Sequence, residues 1–331
     1  MNTHFDNPLV EQRELIAGSR VVVMTEKAVI KVTGDDRLTW LNAMLSQNVA
    51  NLSAGQSAEG LLLDAQGRIE HDVQVIEDGQ ATWLIISAEH QEKLLKWLDM
   101  MIFRSKVKVE PAIFNVVGSF GGGLSGLVWQ DNWTKDPIGS VRYASNLGEA
   151  WDYCESLVTD EELAGILAET KQAGRLALEA LRVAAHRPWQ PNELDDKTLP
   201  HELDWLSSAV HLSKGCYRGQ ESVAKVHNLG HPPRRLVLLH LDGSGHELAS
   251  AGDQVFVSGT DNAIGRITSI GQHYELGPIA LAVIGRNVDE KASLFVRTEF
   301  GEIAAKQETI VPPTAGMAAN LAEKRKNLLG R

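Results

Sequence analysis

Beyond the doublet Pro232-Pro233 the chain breaks into short apolar runs separated by glycine turns, at residues 236–241, 254–257, 264–270, 279–284 and 293–297. Runs of this length and spacing bury their apolar faces by pairing antiparallel and curling on themselves, so a small β-barrel or sandwich is expected. With 331 residues the chain exceeds what one small core usually holds. The boundary is expected near Pro232, dividing the chain into residues 1–232, a barrel over 233–311 and a tail over 312–331. That tail carries Lys324, Arg325, Lys326 and Arg331 against Glu323 alone and reads as a frayed or flexible end.

The first hundred residues mix both kinds of element in one core. Two β-branched runs, 20–24 and 28–32, are joined by Thr25-Glu26-Lys27 and predict a hairpin. Thr33-Gly34-Asp35-Asp36 offers cap chemistry before Leu38, Leu41, Met44 and Leu45, which share a helical face. Strands are expected over 61–63 and 69–76 around the turn Asp64-Ala65-Gln66-Gly67, and over 82–86 after Asp78-Gly79. A helix with Leu94, Leu95, Leu98, Met101 and Ile102 on one face follows, then strands over 106–109 and 113–120. Helices return with Leu163, Ile166 and Leu167, and again over 176–183. Residues 189–200 have prolines and no period, a long loop of the kind that often carries function. The fold class expected is α+β.

Composition removes several functions. Hydrophobic residues make up 43% and charged residues 23%, which excludes wholesale disorder. Lys and Arg number 32 against 43 Asp and Glu, a formal charge of −11, so a broad basic groove for nucleic acid is not expected. No apolar run approaches the roughly 20 residues that span a bilayer, and Met1-Asn2-Thr3-His4-Phe5-Asp6 does not read as a signal peptide. The cytoplasm is the expected location. A Walker lysine motif and a nucleophile elbow are both missing. Gly121-Gly122-Gly123-Leu124-Ser125-Gly126 fits G-x-G-x-x-G, but no helical pattern follows it, and a dinucleotide fingerprint needs one.

Cys154 and Cys216 are the two cysteines, too few for a disulfide framework. Cys154 sits in apolar Trp151-Asp152-Tyr153-Cys154 and reads as packing. Cys216 lies in Lys214-Gly215-Cys216-Tyr217-Arg218-Gly219-Gln220-Glu221, between two glycines and two cations. Lys214, Arg218 and the start of a helix over 220–227 would favour its thiolate, whereas the plainer alternative is a buried turn residue. His211, His227 and His231 raise the question of a metal, but Gly230 and the prolines break the helix that would align the last two, and no further ligand completes the set. No metal is expected. Asp72, on the 69–76 strand, would be a general base if a cleft covers it and otherwise a solvated carboxylate. Trp40, Trp83, Trp97, Trp189 and Trp205 are either core or stacking faces for a flat heterocycle.

Lys214 to Glu221 is similar to the K-G-C-Y-x-G-Q-E signature of the YgfZ-type folate-binding proteins, relatives of the glycine cleavage T-protein. Lys31-Val32-Thr33-Gly34-Asp35-Asp36 resembles that family's opening strand-to-helix turn, and Leu63-Asp64-Ala65-Gln66-Gly67-Arg68-Ile69 its central hairpin. The resemblance implies a multi-lobed T-protein-like fold around a folate-sized channel, closed by a C-terminal antiparallel β-barrel. It implies tetrahydrofolate or a derivative as cofactor and iron–sulfur proteins as clients, among them radical enzymes that thiolate tRNA. Cys216 would be the functional thiol, set by Lys214, Gly215, Tyr217, Arg218, Gly219, Gln220 and Glu221. Asp72 matches the T-protein's catalytic aspartate, which keeps a tetrahydrofolate-dependent aminomethyltransferase as an alternative, beside a folate-binding module without cysteine chemistry. The family's pterin-gripping glutamate falls in an R-x-E-A-G segment, but the matching stretch here is Arg182-Val183-Ala184-Ala185-His186. Folate contacts are therefore expected from Asp72, Arg182 and Glu193, with Asp195 and Asp196 as neighbours, and restoring glutamate at Ala184 is expected to tighten binding.

Overall fold

The computed structural model describes residues 2–124, 126–245 and 249–316. Helix α1 (Pro8–Ile16) leads through β1 (Arg20–Val23) and β2 (Lys27–Thr33) to α2 (Arg37–Met44). Strands β3 (Ser57–Leu63), β4 (Ile69–Glu77) and β5 (Ala81–Ser87) follow, then α3 (Gln91–Met100) and β6 (Lys108–Ala112). Next come β7 (Asn115–Phe120), β8 (Val128–Gln130), β9 (Tyr153–Val158), α4 (Asp160–Glu169), β10 (Lys171–Gln172), α5 (Arg175–Ala184) and α6 (Gln220–Leu229). The last six strands are β11 (Arg234–Leu241), β12 (Gln254–Val257), β13 (Ala263–His273), β14 (Gly277–Gly285), β15 (Leu294–Arg297) and β16 (Glu302–Thr309). The architecture is α+β with several lobes, as expected.

Two five-stranded sheets, ordered β3-β4-β5-β2-β6 and β10-β1-β7-β9-β8, stand beside a closed barrel ordered β11-β14-β13-β12-β15-β16. All pairs in the first sheet and in the barrel are antiparallel. Strands β1 and β2 do not form the expected hairpin. They belong to different sheets, β1 pairing with β7 and β10, and β2 with β5 and β6. The turn between them is short, with the Lys27 amide donating to the Met24 carbonyl; Val22 and Val29 pack in one shared core, while Val21 turns to the core under α4 and Ile30 and Val32 to that of the first sheet. Glu26 and Lys27 are thereby left at the crossing between the sheets. The G-x-G-x-x-G run leads into β8 rather than a helix. Asp36 does not cap α2 with its side chain either; its carboxylate takes the Lys106 amide.

The barrel encloses its own core of Val237, Leu239, Val255, Ile267, Ala280 and Ile284. It leans on α5, where Gly271 lies so close to Ala180 that a Cβ at Gly271 would stand 2.6 Å from the Ala180 Cα. A bulge in β13 shifts register between Ile267 and Ser269, and the side chains of Thr268 and Ser269 both reach the Glu193 carboxylate. Residues 312–316 pack back on the body, with Ala315 in the largest core and its carbonyl bonded to His231. The remainder of the expected tail lies outside the described residues.

Candidate functional site

The signature segment reaches its place by a close fit of two turns. Gly219 adopts φ +82° as the residue before α6, and a Cβ there would meet the Asp64 carbonyl oxygen at 2.5 Å. Opposite it, Gly67 has φ +77°, and its Cβ would touch Ser222 and Gly219. The turn after β3 and the turn before α6 thus dock through two glycines in the left-handed region, each of which a side chain would push apart. Tyr217 is buried in the main core, while Gly215, Cys216 and Glu221 are exposed. Gln220 donates to the Lys214 carbonyl across the turn.

The two cations are engaged elsewhere than on the thiol. The Lys214 ammonium donates to the carbonyls of Asn42, Leu45 and Gln47 at 2.6–2.7 Å, tying the segment to the C-terminal end of α2. Burial lowers its pKa to about 8. Arg218 pairs with Glu70 at 2.6 Å and lies over Trp97. Lys214 is therefore a structural anchor, a correction to its expected role beside the thiol. Cys154 is buried against Ser119 and burial raises its pKa. Iodoacetamide at pH 7.5 is expected to modify Cys216 at least about tenfold faster than Cys154, since burial both shields Cys154 from the reagent and raises its pKa. Peptide mass spectrometry over a time course measures the ratio.

A cleft of about 390 Å³ opens between the first sheet, α5 and the loop after it. Asp72 and Gln74 from β4, Glu26 and Lys27 from the sheet crossing, Glu179 from α5, and Trp189 and Gln190 from the loop line it. Lys27 is held by both oxygens of Glu155 at 2.7 and 2.9 Å and by Gln74 at 2.8 Å, with its ammonium 4.6 Å from the Trp189 ring centre. Gln190 braces the cleft edge: its amide oxygen takes the Asp72 N–H and its amide nitrogen donates to the Glu70 carbonyl. Since Glu70 also holds Arg218, the cleft and the cysteine loop share one stretch of β4. Beyond Asp72 a recess of only about 10 Å³ remains among Trp129, Trp151 and Arg187. This interior is closed by a buried network in which Arg187 donates to Glu59 at 2.6 Å and to Asp131 at 2.8 Å. The space expected as a channel is therefore a cleft that stops at Asp72.

Burial raises the Asp72 carboxyl to about 6, against the opposing pull of Lys27. Its folded value lies above the unfolded value of about 4, so its contribution to stability is full below about pH 4 and is lost as pH rises through 6. Asp72→Asn is accordingly expected to stabilise the protein by about 2–3 kcal/mol at pH 7.5 and by almost nothing at pH 4. Urea unfolding at the two pH values tests this.

The other expected folate contacts separate. Arg182 is fully buried and grips Glu179, Glu193, Ser269 and the Arg187 carbonyl. Glu193 is not available to a ligand, because Arg182, Thr268, Ser269 and the Trp189 amide already donate to it. Asp195 is occupied by Arg234 and Thr198, and Asp196 is exposed away from the cleft lining. Ala184 is 1% exposed in the core and does not line the cleft, so glutamate there would bury a carboxylate rather than tighten binding. The carboxylate that sequence reasoning missed is Glu179. Against the upward push of burial, Arg182 holds it below its ordinary pKa, and Asn192 donates to it as well. The i, i+3 spacing of Glu179 and Arg182 was its only trace in the sequence. Of the five tryptophans considered, Trp189 lines the cleft, Trp97 lies under Arg218, and Trp40, Trp83 and Trp205 are core. His227 bonds Tyr143, and among the described residues no three His, Cys, Asp or Glu are grouped to hold a metal.

Residues 9–118 match the GCVT N-terminal domain. The chain is 25% identical over 301 residues to the tRNA-modifying protein YgfZ of Aliivibrio fischeri, covering 88% of this chain and 92% of that one. It is 25% identical over 240 residues to the mitochondrial iron-sulfur cluster assembly factor IBA57 homolog of Coccidioides immitis, covering 66% and 56%. The glycine cleavage system aminomethyltransferase T of Bartonella henselae superposes with a TM-score of 0.72 at 19% identity, over 93% of this chain and 90% of that chain. The chain thus carries the glycine cleavage T-protein fold, and its sequence is similar to that of the YgfZ proteins along most of its length.

Proposed function

We propose that this protein is a cytoplasmic, folate-dependent factor for the assembly or repair of iron–sulfur proteins, including tRNA-thiolating radical enzymes, and that it acts through Cys216. The observation that carries the reading is an exposed thiol on a segment anchored on both sides of it: Lys214 in three carbonyls before it, Tyr217 in the core and Gly219 against the turn after β3 beyond it. A loop so fixed around one accessible, uncrosslinked cysteine is built to present it. The names of the YgfZ and IBA57 relatives supply the iron–sulfur and tRNA context. No helix among the described residues is long and apolar enough to cross a membrane. In this reading residues 1–232 form the ligand-binding region, and the barrel over 233–311 braces α5.

The cleft residues fit a reduced folate. Asp72 receives no hydrogen bond from any described side chain and offers a carboxylate for paired N–H groups, with Trp189 as a flat wall beside it. When bound, the folate would supply one-carbon carrier chemistry; the protein's part is to hold and orient it. Titration calorimetry with tetrahydrofolate is expected to give measurable but loose binding, weakened about tenfold or more in Asp72→Asn. Undetectable binding at millimolar ligand would remove folate from the reading. A second reading, aminomethyl transfer, rests on Asp72 at a pKa of about 6 inside a cleft, suited to a general base. Steady turnover of an aminomethyl donor with tetrahydrofolate, lost in Asp72→Asn, would favour it over the first.

A further inference from the structure

Beside the cysteine loop the surface changes character. Residues 93–108 hold Lys93, Lys96, Arg104, Lys106 and Lys108 against Asp99 alone, in a chain whose formal charge is −11. Lys96, Lys106 and Lys108 each face a carboxylate, those of Glu92, Asp35 and Glu110, whereas Lys93 and Arg104 pair with none of the described carboxylates. Spaced by four and then three residues, Lys93, Trp97 and Met100 share one flank of α3. Trp97 is half-buried under the Arg218 guanidinium, two residues along from Cys216, so this flank begins where the cysteine loop ends. Met100 is 67% exposed, and Phe103, in the turn beyond the helix, is 84% exposed. Phe103 also has φ +46°, in the left-handed region that a bulky aromatic rarely adopts. The turn is nonetheless tied on both sides. The Trp40 indole N–H donates to the Met101 carbonyl at 2.9 Å, the Ser105 amide to the Ile102 carbonyl at 2.9 Å, and the Lys106 amide to Asp36 at 2.7 Å. These bonds hold an apolar ring out in water at a cost in backbone strain, and strain of this kind clusters at sites that bind. Aromatic, methionine and arginine side chains are also those enriched in protein interfaces.

We propose that the stretch from Trp97 to Arg104 is the docking surface for an acidic client protein, with Met100 and Phe103 entering an apolar recess of the client and Lys93 and Arg104 facing its carboxylates. This rests on the reading of Cys216 as the working thiol and adds the surface that brings a client to it. Charge selects the occupant. An acidic protein is repelled by the acidic remainder of this chain and attracted by this flank, so it arrives with one face turned toward Cys216. RNA draws its affinity from many phosphate contacts, and two unpaired cations supply few of them.

The test uses the full chain and its variants Phe103→Gly, Phe103→Tyr and Arg104→Glu. Glycine suits φ +46°, so Phe103→Gly is expected to melt no lower than the parent, and Cys216 in all three should react with iodoacetamide within about twofold of the parent rate. The probe is a purified tRNA-thiolating radical enzyme carrying its iron–sulfur cluster. Its binding to Phe103→Gly and to Arg104→Glu is expected to weaken about tenfold or more, and to Phe103→Tyr less than about threefold. The affinity of the parent should fall with salt more steeply than that of Arg104→Glu. In a bacterial strain lacking its own YgfZ-type protein, the two weakened variants should leave thiolated tRNA low at low expression and regain it on overexpression, since mass action offsets a docking defect but not a missing thiol. No binding by the parent, unchanged binding in both variants, or a deficit that overexpression does not mend would overturn the docking surface while leaving Cys216 in its role. So would a parent that binds bare tRNA through Arg104, or a parent dimer that Phe103→Gly dissociates, since RNA or a second copy would then be the occupant. Failure of the parent to restore thiolated tRNA, or full restoration by Cys216→Ser, would overturn the cysteine reading, and this assignment with it.

Discussion

Arg187→Leu is expected to cost about 3–5 kcal/mol of stability at pH 7.5, the largest loss from any single substitution considered. Arg187 is 5% exposed and bridges Glu59 and Asp131, which are 3% and 2% exposed, in the middle of the molecule. Leucine fills part of the space but leaves two carboxylates facing each other without their cation. Burial already raises the Glu59 pKa, with Arg187 opposing that rise, so removing the arginine lifts it further. A carboxyl whose folded pKa exceeds its unfolded value adds stability as pH falls. The deficit of the variant should therefore be smaller at pH 5 than at pH 7.5. Replacing Glu59 by Gln and Asp131 by Asn in the same chain should recover part of the loss at pH 7.5 and flatten the pH dependence. Urea unfolding of the three proteins reads both effects, and a loss that is independent of pH would show that packing, rather than uncompensated charge, sets the cost.

The same network explains why the cleft ends where it does. Trp129, Trp133, Trp151 and Trp205 surround Arg187 and its partners, and Arg187 stacks against Trp133 and Trp205 at 5.2 and 6.0 Å. With the centre filled, the open volume is displaced toward Lys27, Glu179 and Trp189. Asp72 marks the meeting point, lining both the cleft and the recess behind it.

Much of this was legible in the sequence. Barrel strands β11 to β15 announce themselves because valine, isoleucine and leucine alternate between glycine turns, and α5 does so through its buried face of Leu178, Leu181 and Val183. Strand β16 does not, since the side chains it turns inward are Ile303, Ala305 and Gln307, two of them too small or too polar to give a period-2 signal. The Lys31 to Ile69 segments and the cysteine signature were legible as separate pieces. Their contact was not, because two glycines 152 positions apart say nothing of each other until the chain folds. The cleft was the least visible part. Its walls come from residues near 26, 72, 87, 177 and 190, no two of them in one motif, and Glu193 misled because a loop carboxylate looks free until the β13 bulge and Arg182 surround it.

The largest functional effect is expected at Cys216. Serine differs from cysteine by one atom and the site is exposed, so Cys216→Ser should unfold within about 0.5 kcal/mol of the parent. What it removes is a soft, nucleophilic sulfur, and with it any chemistry that needs a thiolate as attacking group, sulfur carrier or transient metal ligand. If the thiol is the working part, a folded protein without it should be inert. The direct measurement is complementation: a bacterial strain lacking its own YgfZ-type protein, supplied with this protein or with Cys216→Ser at matched levels, is assayed for iron–sulfur enzyme activity and for thiolated tRNA. The account predicts restoration by the parent and background levels with the serine variant. Equal restoration by both would contradict it and return Cys216 to the role of a surface turn residue.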